Sequence, residues 1–199
     1  MNVAPSRMWR VFCAVEIPES VRQRVLQHVA SLRAAVPDAH ASWSRDPNLH
    51  LTLKFLGEIS QTSVQKFSNA ASRAVVGCAP FTILLGQTGA FPKDSSPRVL
   101  WIGVNDAVGK LAKLHARLED ESVNAGFKKE ERDFNPHLTV ARLRQPRHAR
   151  TLDSAHMQMG FEPAEITVSE LLVIRSELGS EGSKYTVISR HPLEVSDKL

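Results

Sequence analysis

Alternation of apolar and polar positions is the clearest signal in this chain. From Leu49 to Ile59 (LHLTLKFLGEI) the two types take turns, which predicts a half-buried strand with Leu51, Leu53 and Phe55 on one face and His50, Thr52 and Lys54 on the other. A second alternating stretch, His137 to Leu143 (HLTVARL), predicts another strand of the same kind. Met8–Ile17 (MWRVFCAVEI) is rich in β-branched and aromatic residues and stops at Pro18. Phe81–Leu85 and Val99–Val104 are apolar runs of strand length, the second continuous enough to lie inside a sheet. Ile166–Arg175 and Tyr185–Ser189 predict a hairpin around Gly179–Ser183, and Trp43 a short strand.

Elsewhere the apolar residues fall three and four apart. Val21, Val25, Leu26, Val29 and Leu32 mark a helix over Glu19–Ala35, closed by Pro37. Val64, Phe67, Ala71 and Val75 mark one over Thr62–Val76; Leu111, Leu114, Leu118 and Val123 mark one over Asp106–Asn124, ended at Gly126. Arg147–Met157 is a shorter helical stretch, and Phe91–Pro97 (FPKDSSP) a polar loop. About eight strands and three or four helices thus mix along the chain, which is α+β or α/β by element order. No Gly/Ser linker, composition shift or low-complexity stretch divides it, so residues 1–199 are expected to form a single domain.

Composition narrows the functional classes. With 42% hydrophobic and 23% charged residues in 199, disorder is excluded for the chain as a whole. No run approaches the ~20 apolar residues of a membrane span. The N-terminal apolar stretch ends at Glu16-Ile17-Pro18 without a small-residue cleavage site, so a cytosolic protein is expected. Lys and Arg exceed Asp and Glu by four, a balance that suits an anionic partner such as nucleic acid. Cys13 and Cys78 make neither a metal pattern nor a disulfide framework and read as buried small hydrophobes.

The chemistry lies in a repeat. His50-Leu51-Thr52-Leu53 returns as His137-Leu138-Thr139-Val140, each copy opening a predicted strand behind an Asn and a proline-containing turn. Strand geometry puts the His and Thr of each copy on one face and the aliphatic pair on the other. Two similar lobes would then bring two imidazoles and two hydroxyls to one cleft. With an unperturbed pKa near 6.5, one ring can accept a proton from water while the other gives one to a leaving oxygen, and the threonine hydroxyls can hold a phosphoryl group between them. In-line displacement at phosphorus needs attacking and leaving groups on opposite sides, which two rings across a cleft supply.

The rival chemistries fit less well. Each copy supplies one His with no neighbouring ligand, and His28, His40, His115, His148, His156 and His191 are scattered, so no metal site is expected. There is no G-x-S-x-G elbow, no phosphate-cradling glycine loop and no dinucleotide fingerprint.

The paired H-x-T-x motifs resemble those of the two-histidine phosphoesterase superfamily, in particular its RNA 2′,3′-cyclic phosphodiesterase branch, also called 2′-5′ RNA ligase. The likeness extends to Arg10-Val-Phe-Cys-Ala-Val, Asn48-Leu-His-Leu-Thr-Leu-Lys-Phe-Leu-Gly, Pro97-Arg-Val-Leu-Trp-Ile-Gly-Val, Pro136-His-Leu-Thr-Val-Ala-Arg and Arg175-Ser-Glu-Leu-Gly, ending at Tyr185 and Pro192-Leu193. It departs at Trp43-Ser44-Arg45-Asp46-Pro47, a loop beside the expected cleft.

The resemblance implies an α+β fold of two pseudo-symmetric lobes, each an antiparallel sheet with flanking helices, around a central cleft. It implies opening of a terminal RNA 2′,3′-cyclic phosphate to a 2′-phosphate without metal or other cofactor. His50 would be the proton donor to O3′ and His137 the acceptor from water, with Thr52 and Thr139 on the phosphate; the roles swap in a reverse, ligating direction.

Five further residues are candidates for substrate contact: Lys54 by its parity with His50; Arg142, which strict alternation would put on the opposite face unless the strand bends; Phe12 (or Trp43) as a base platform; Arg98 beside the polar loop; and Tyr185. A monomer is expected. Two other functions use the same features: a phosphodiesterase for small cyclic nucleotides or ADP-ribose cyclic phosphate, and a non-catalytic RNA-binding module.

Overall fold

The computed structural model describes residues 7–93, 96–145, 147–179 and 182–194. In chain order the elements are β1 (Met8–Glu16), α1 (Glu19–Ala35), β2 (Ala41–Trp43), β3 (His50–Ser60), α2 (Gln61–Val75), β4 (Phe81–Phe91), β5 (Val99–Asn105), α3 (Lys110–Asn124), β6 (His137–Leu143), α4 (Ala149–Met159), β7 (Ala164–Val168), β8 (Glu170–Gly179) and β9 (Gly182–Pro192). They form an α+β fold with two antiparallel sheets, ordered β3-β1-β8-β9 and β2-β6-β5-β4-β7. Strand β5 is central in the second, as its continuous apolar run predicts. Among the described residues no helix is long and apolar enough to cross a membrane.

The lobes are stitched together by exchange. Helix α1 follows a strand of the first sheet yet packs on β7 and α4 of the second; α3 follows a strand of the second yet packs on α2 and β3 of the first. Each helix buries the stripe its spacing predicts, with small shifts. In α1 the stripe also includes His28. Helix α2 is opened by Ser60, whose Oγ accepts from the Ser63 N–H at 3.2 Å. Helix α3 starts at Lys110, later than its apolar pattern predicts, because Asp106 folds back to accept from the Ala112 N–H at 2.9 Å. There Ser122 is buried in place of Val123, its hydroxyl satisfied by the Leu118 carbonyl.

The stretch Ile166–Arg175 is not one strand. It breaks at Ser169, whose carbonyl accepts from Leu193 N–H at 2.7 Å; β7 joins the second sheet and β8 the first. The β8–β9 hairpin is present. Of the cysteines, Cys13 is wholly buried, its thiol pushed up to about 12 by desolvation, whereas Cys78 is only half-buried, with Arg117 at 2.9 Å from its sulfur.

Two of the scattered histidines hold the second lobe together. His156 donates through Nε2 to the Trp101 carbonyl (3.0 Å), which leaves its Nδ1 to accept from His28 Nε2–H (2.9 Å). Burial pushes both rings below the ordinary histidine range, His28 to about 4, so the pair is neutral and joins α1, α4 and β5.

Candidate active site

Two β-bulges create the site. In β3, Thr52 faces Ala14 and Lys54 faces Cys13, so Leu53 is the extra residue; in β6, Thr139 faces Trp101 and Ala141 faces Leu100, so Val140 is extra. The bulge falls at the same step of each motif, directly after the threonine. Before it, His and Thr share one face, as alternation predicts. After it the parity reverses. Lys54 and Ala141 are buried, Lys54 in the groove wall, while Phe55 and Arg142 are exposed and line the groove. Arg142 therefore lies on the face of His137 and Thr139.

The reversal corrects two expectations from the sequence. Phe55, placed with the buried leucines by alternation, is 53% exposed and lines the groove. Lys54, placed beside His50 and Thr52, is only 4% exposed, with Nζ donating to both carboxylate oxygens of Glu119 (2.7 and 2.8 Å) and to the Lys128 carbonyl (3.1 Å). A lysine so engaged has no free donor for a phosphate.

The groove has a volume of about 2010 Å³, and His50, Thr52, His137 and Thr139 all line it. Nδ1 of His137 lies 2.7 Å from the carbonyl of Asn135, two positions upstream; the backbone of Asn48, two positions upstream of His50, acts on that ring in the same sense, favouring its protonated form. Donation through Nδ1 fixes the tautomer of His137 and leaves Nε2 as its free nitrogen. Aromatic side chains complete the two seats. Phe12 stacks on His50 at 4.6 Å and Tyr185 meets it edge-on at 5.2 Å. Phe91 meets His137 edge-on at 5.2 Å, with Trp101 behind at 6.4 Å. The Trp101 indole fits there because β4 has Gly89 beneath it: a Cβ at that position would sit 2.3 Å from the ring.

Electrostatics distinguish the two rings. Desolvation dominates at His50 and pushes it down to about 4, against the raising effect of the Asn48 carbonyl. His137 is also held below its ordinary value, first by burial, with the Asn135 carbonyl opposing and the Arg142 charge lowering it further. Both rings are thus neutral near pH 7 in the unliganded protein, and only His137 has a cation among the causes of its shift.

The other sequence candidates take different places. Phe12 reaches the groove wall but is almost fully buried, and it stacks on His50 rather than offering its ring to a base. Tyr185 and Trp43 line the groove, Trp43 opposite Ala141 on the neighbouring strand. Arg98 is not among the groove-lining residues; its backbone joins β4 and β6, donating to the Phe91 carbonyl (2.7 Å) and accepting from Leu143 N–H (2.8 Å). Arg33 and Arg144 line the groove without any motif having marked them, and Phe55 and Arg45 line it too, within stretches the sequence singled out but gave no such role. Among the described residues, no group of three or more His, Cys, Asp or Glu side chains is arranged to hold a metal ion.

The family of proteins described as the 2′-5′ RNA ligase superfamily matches residues 17–180. The chain belongs to this superfamily. Its relatives in the 2′-5′ RNA ligase superfamily include the RNA 2′,3′-cyclic phosphodiesterase of Methanothermobacter thermautotrophicus, 34% identical over 89% of this chain and 95% of that protein. Another is the RNA 2′,3′-cyclic phosphodiesterase of Thermotoga maritima, 30% identical over 90% of this chain and 92% of its own length. The solved structure of TT0787 from Thermus thermophilus superposes with a TM-score of 0.76 at 27% identity, covering 94% of this chain and 99% of that one. Escherichia coli LigT complexed with 3′-AMP shares the fold, with a TM-score of 0.74 at 24% identity over 94% of this chain and 99% of LigT.

Proposed function

We propose that this superfamily member is an RNA 2′,3′-cyclic phosphodiesterase that opens a terminal cyclic phosphate to a 2′-phosphomonoester, with its two motif histidines moving the protons. The observation that carries this reading is the meeting of two equivalently bulged His-x-Thr strands in one groove. The names of its relatives support the substrate.

The step balances with groups of this chain. Nε2 of His137 takes a proton from water as its oxygen bonds to phosphorus; the P–O3′ bond breaks, and His50 protonates O3′, leaving a 3′-hydroxyl and a 2′-phosphate. Thr52 and Thr139 donate to the non-bridging oxygens. The assigned division of labour depends on the charge of the bound substrate. A bound phosphodiester is an anion, and an anion beside two neutral rings favours protonating one of them. Arg142 opposes a positive charge on His137, while desolvation holds His50 down to about 4 in the free protein, so His50 carries the proton only once the bound anion offsets that desolvation. In the ligating direction the same groups act in reverse. The exposed ring of Phe55 supplies a surface for the terminal base, and Arg142 a charge-assisted contact to the phosphate.

The test is incubation with an oligoribonucleotide ending in a 2′,3′-cyclic phosphate, with chelator present. A 2′-phosphate end is expected; a 3′-phosphate product, or loss of turnover to the chelator, overturns the mechanism. An unopened end with excess substrate would make the chain a binding module.

The pH profile supplies a second check. The productive free protein carries one proton on the pair, and both rings titrate below 6.5, so that form is most populated below pH 6.5. Accordingly kcat/KM should fall about tenfold per pH unit above 6.5, while the kcat profile, governed by rings raised by the bound anion, should be displaced to higher pH. A kcat/KM optimum at pH 8 or above would contradict this protonation scheme.

A further inference from the structure

The groove is electrically polarised along β6, and the polarity bears on how much of an RNA it holds. One end of the strand is preceded by Glu130, Glu131 and Asp133, all lining the groove, with Arg132 tied to Glu130 at 2.9 Å. The other end leads to Arg142 and Arg144, with Arg33 on the last turn of α1 lining the groove as well; Arg45, beyond the Trp43–Ala141 pair on the side of Thr139, and Arg10 on β1 line it elsewhere. Apart from the acidic loop, Asp46 is the one carboxylate among the described lining residues, and it accepts from Arg22 Nε at 3.0 Å. The seven residues of β6 separate the two ends by about 20 Å.

The basic end is also spaced for a polyphosphate chain. Arg142 and Arg144 are two residues apart on extended backbone, which puts them on one face about 6–7 Å from each other. Arg144 is oriented by its Nε–H donating to Ser42 Oγ at 2.6 Å, and its backbone N–H pairs with the His40 carbonyl at 3.2 Å. Trp43, between these arginines and the catalytic face, offers an aromatic surface in the same groove.

We propose that Arg144 and Arg33 form a subsite for the phosphodiesters on the 5′ side of the terminal nucleoside, so that the RNA strand leaves the histidines over the arginine end of β6 and is turned away from the acidic end. This deepens the functional reading above and rests on it. It makes the preferred substrate a single-stranded 3′ end of two or more nucleotides, and a lone cyclic mononucleotide the poorer one.

The experiment compares kcat/KM for a 2′,3′-cyclic trinucleotide with that for a 2′,3′-cyclic mononucleotide, in the native chain and in Arg144→Gln, Arg33→Gln and the double variant. All are exposed positions, so the fold is preserved, and far-ultraviolet circular dichroism verifies it. The trinucleotide-to-mononucleotide ratio is expected to fall about tenfold for a lost phosphate contact, and the salt slope of trinucleotide KM to flatten by about 0.7 per contact removed. An unchanged ratio and slope in the double variant, with both substrates still opened, overturns the subsite alone. A native chain that opens neither substrate overturns the functional reading, and the subsite with it. A larger ratio after Glu131→Gln, with no loss on changing the arginines, reverses the direction of the strand and overturns the proposal.

Discussion

His137→Ala and His50→Gln are each expected to lower kcat by about 10²–10⁴, the contribution of one positioned proton-transfer group. The two changes are chosen differently because the rings sit differently. His137 meets Phe91 edge-on, with Trp101 behind, rather than being stacked, and far-ultraviolet circular dichroism checks that the fold survives its removal. His50 is clasped by Phe12 and Tyr185, and glutamine keeps most of that volume while lacking a group that titrates near neutrality. Because the rings serve opposite ends of one displacement, the double variant should lose far less than the product of the single losses. Single-turnover kinetics with a cyclic-phosphate oligonucleotide reads this directly. Retention of more than a tenth of native kcat in either single variant would sink the two-ring mechanism.

The second large effect is on stability. Lys54→Met should cost about 3–5 kcal/mol, because it strands the Glu119 carboxylate in the interior. Glu119 also accepts from the Glu130 N–H at 3.1 Å, and Lys54 holds the Lys128 carbonyl, so the pair ties the strand of the first motif to the loop that leads into the second. Within reach of the same carboxylate, His115 stacks on Phe134 at 3.8 Å, just before Asn135 and His137. The double variant Lys54→Met with Glu119→Met should recover most of the stability, since two apolar chains can replace a buried pair, but it should not recover kcat, since the loop has lost its tether. Urea titration alongside kcat separates the two. A loss below 1 kcal/mol for Lys54→Met would show that the carboxylate is not stranded.

Most of the framework is legible in the sequence because it rests on local periodicity. Helix α1 has the predicted bounds, and β6 opens at the predicted histidine, since amphipathic spacing reports which side of an element will be buried. The repeat also exposes its own importance, as two copies of His-x-Thr in matched strands predict a shared face. The misplaced side chains of the two motif strands have one cause. A bulge changes the side of the residues that follow it, in β3 as far as the next bulge at Leu56, without changing the sequence pattern that would reveal it: Leu51, Leu53 and Phe55 look like one apolar face whether or not Leu53 is extra. Strict alternation therefore places Lys54 at the substrate and Phe55 in the core, and sets Arg142 facing away. The break at Ser169 escapes for a similar reason, because two short strands in different sheets read as one longer strand when both are apolar.

By itself the chain determines its strands and helices, the pairing of each histidine with a threonine two residues on, and a modest positive charge. Those properties depend on neighbours within a few positions. Only the tertiary structure decides that the two motifs share one groove, that bulges exchange a lysine for a phenylalanine on one side and bring an arginine in on the other, and that the charge is sorted into an acidic and a basic end. These depend on contacts between residues tens of positions apart, where backbone register and burial, rather than local preference, set the direction of each side chain.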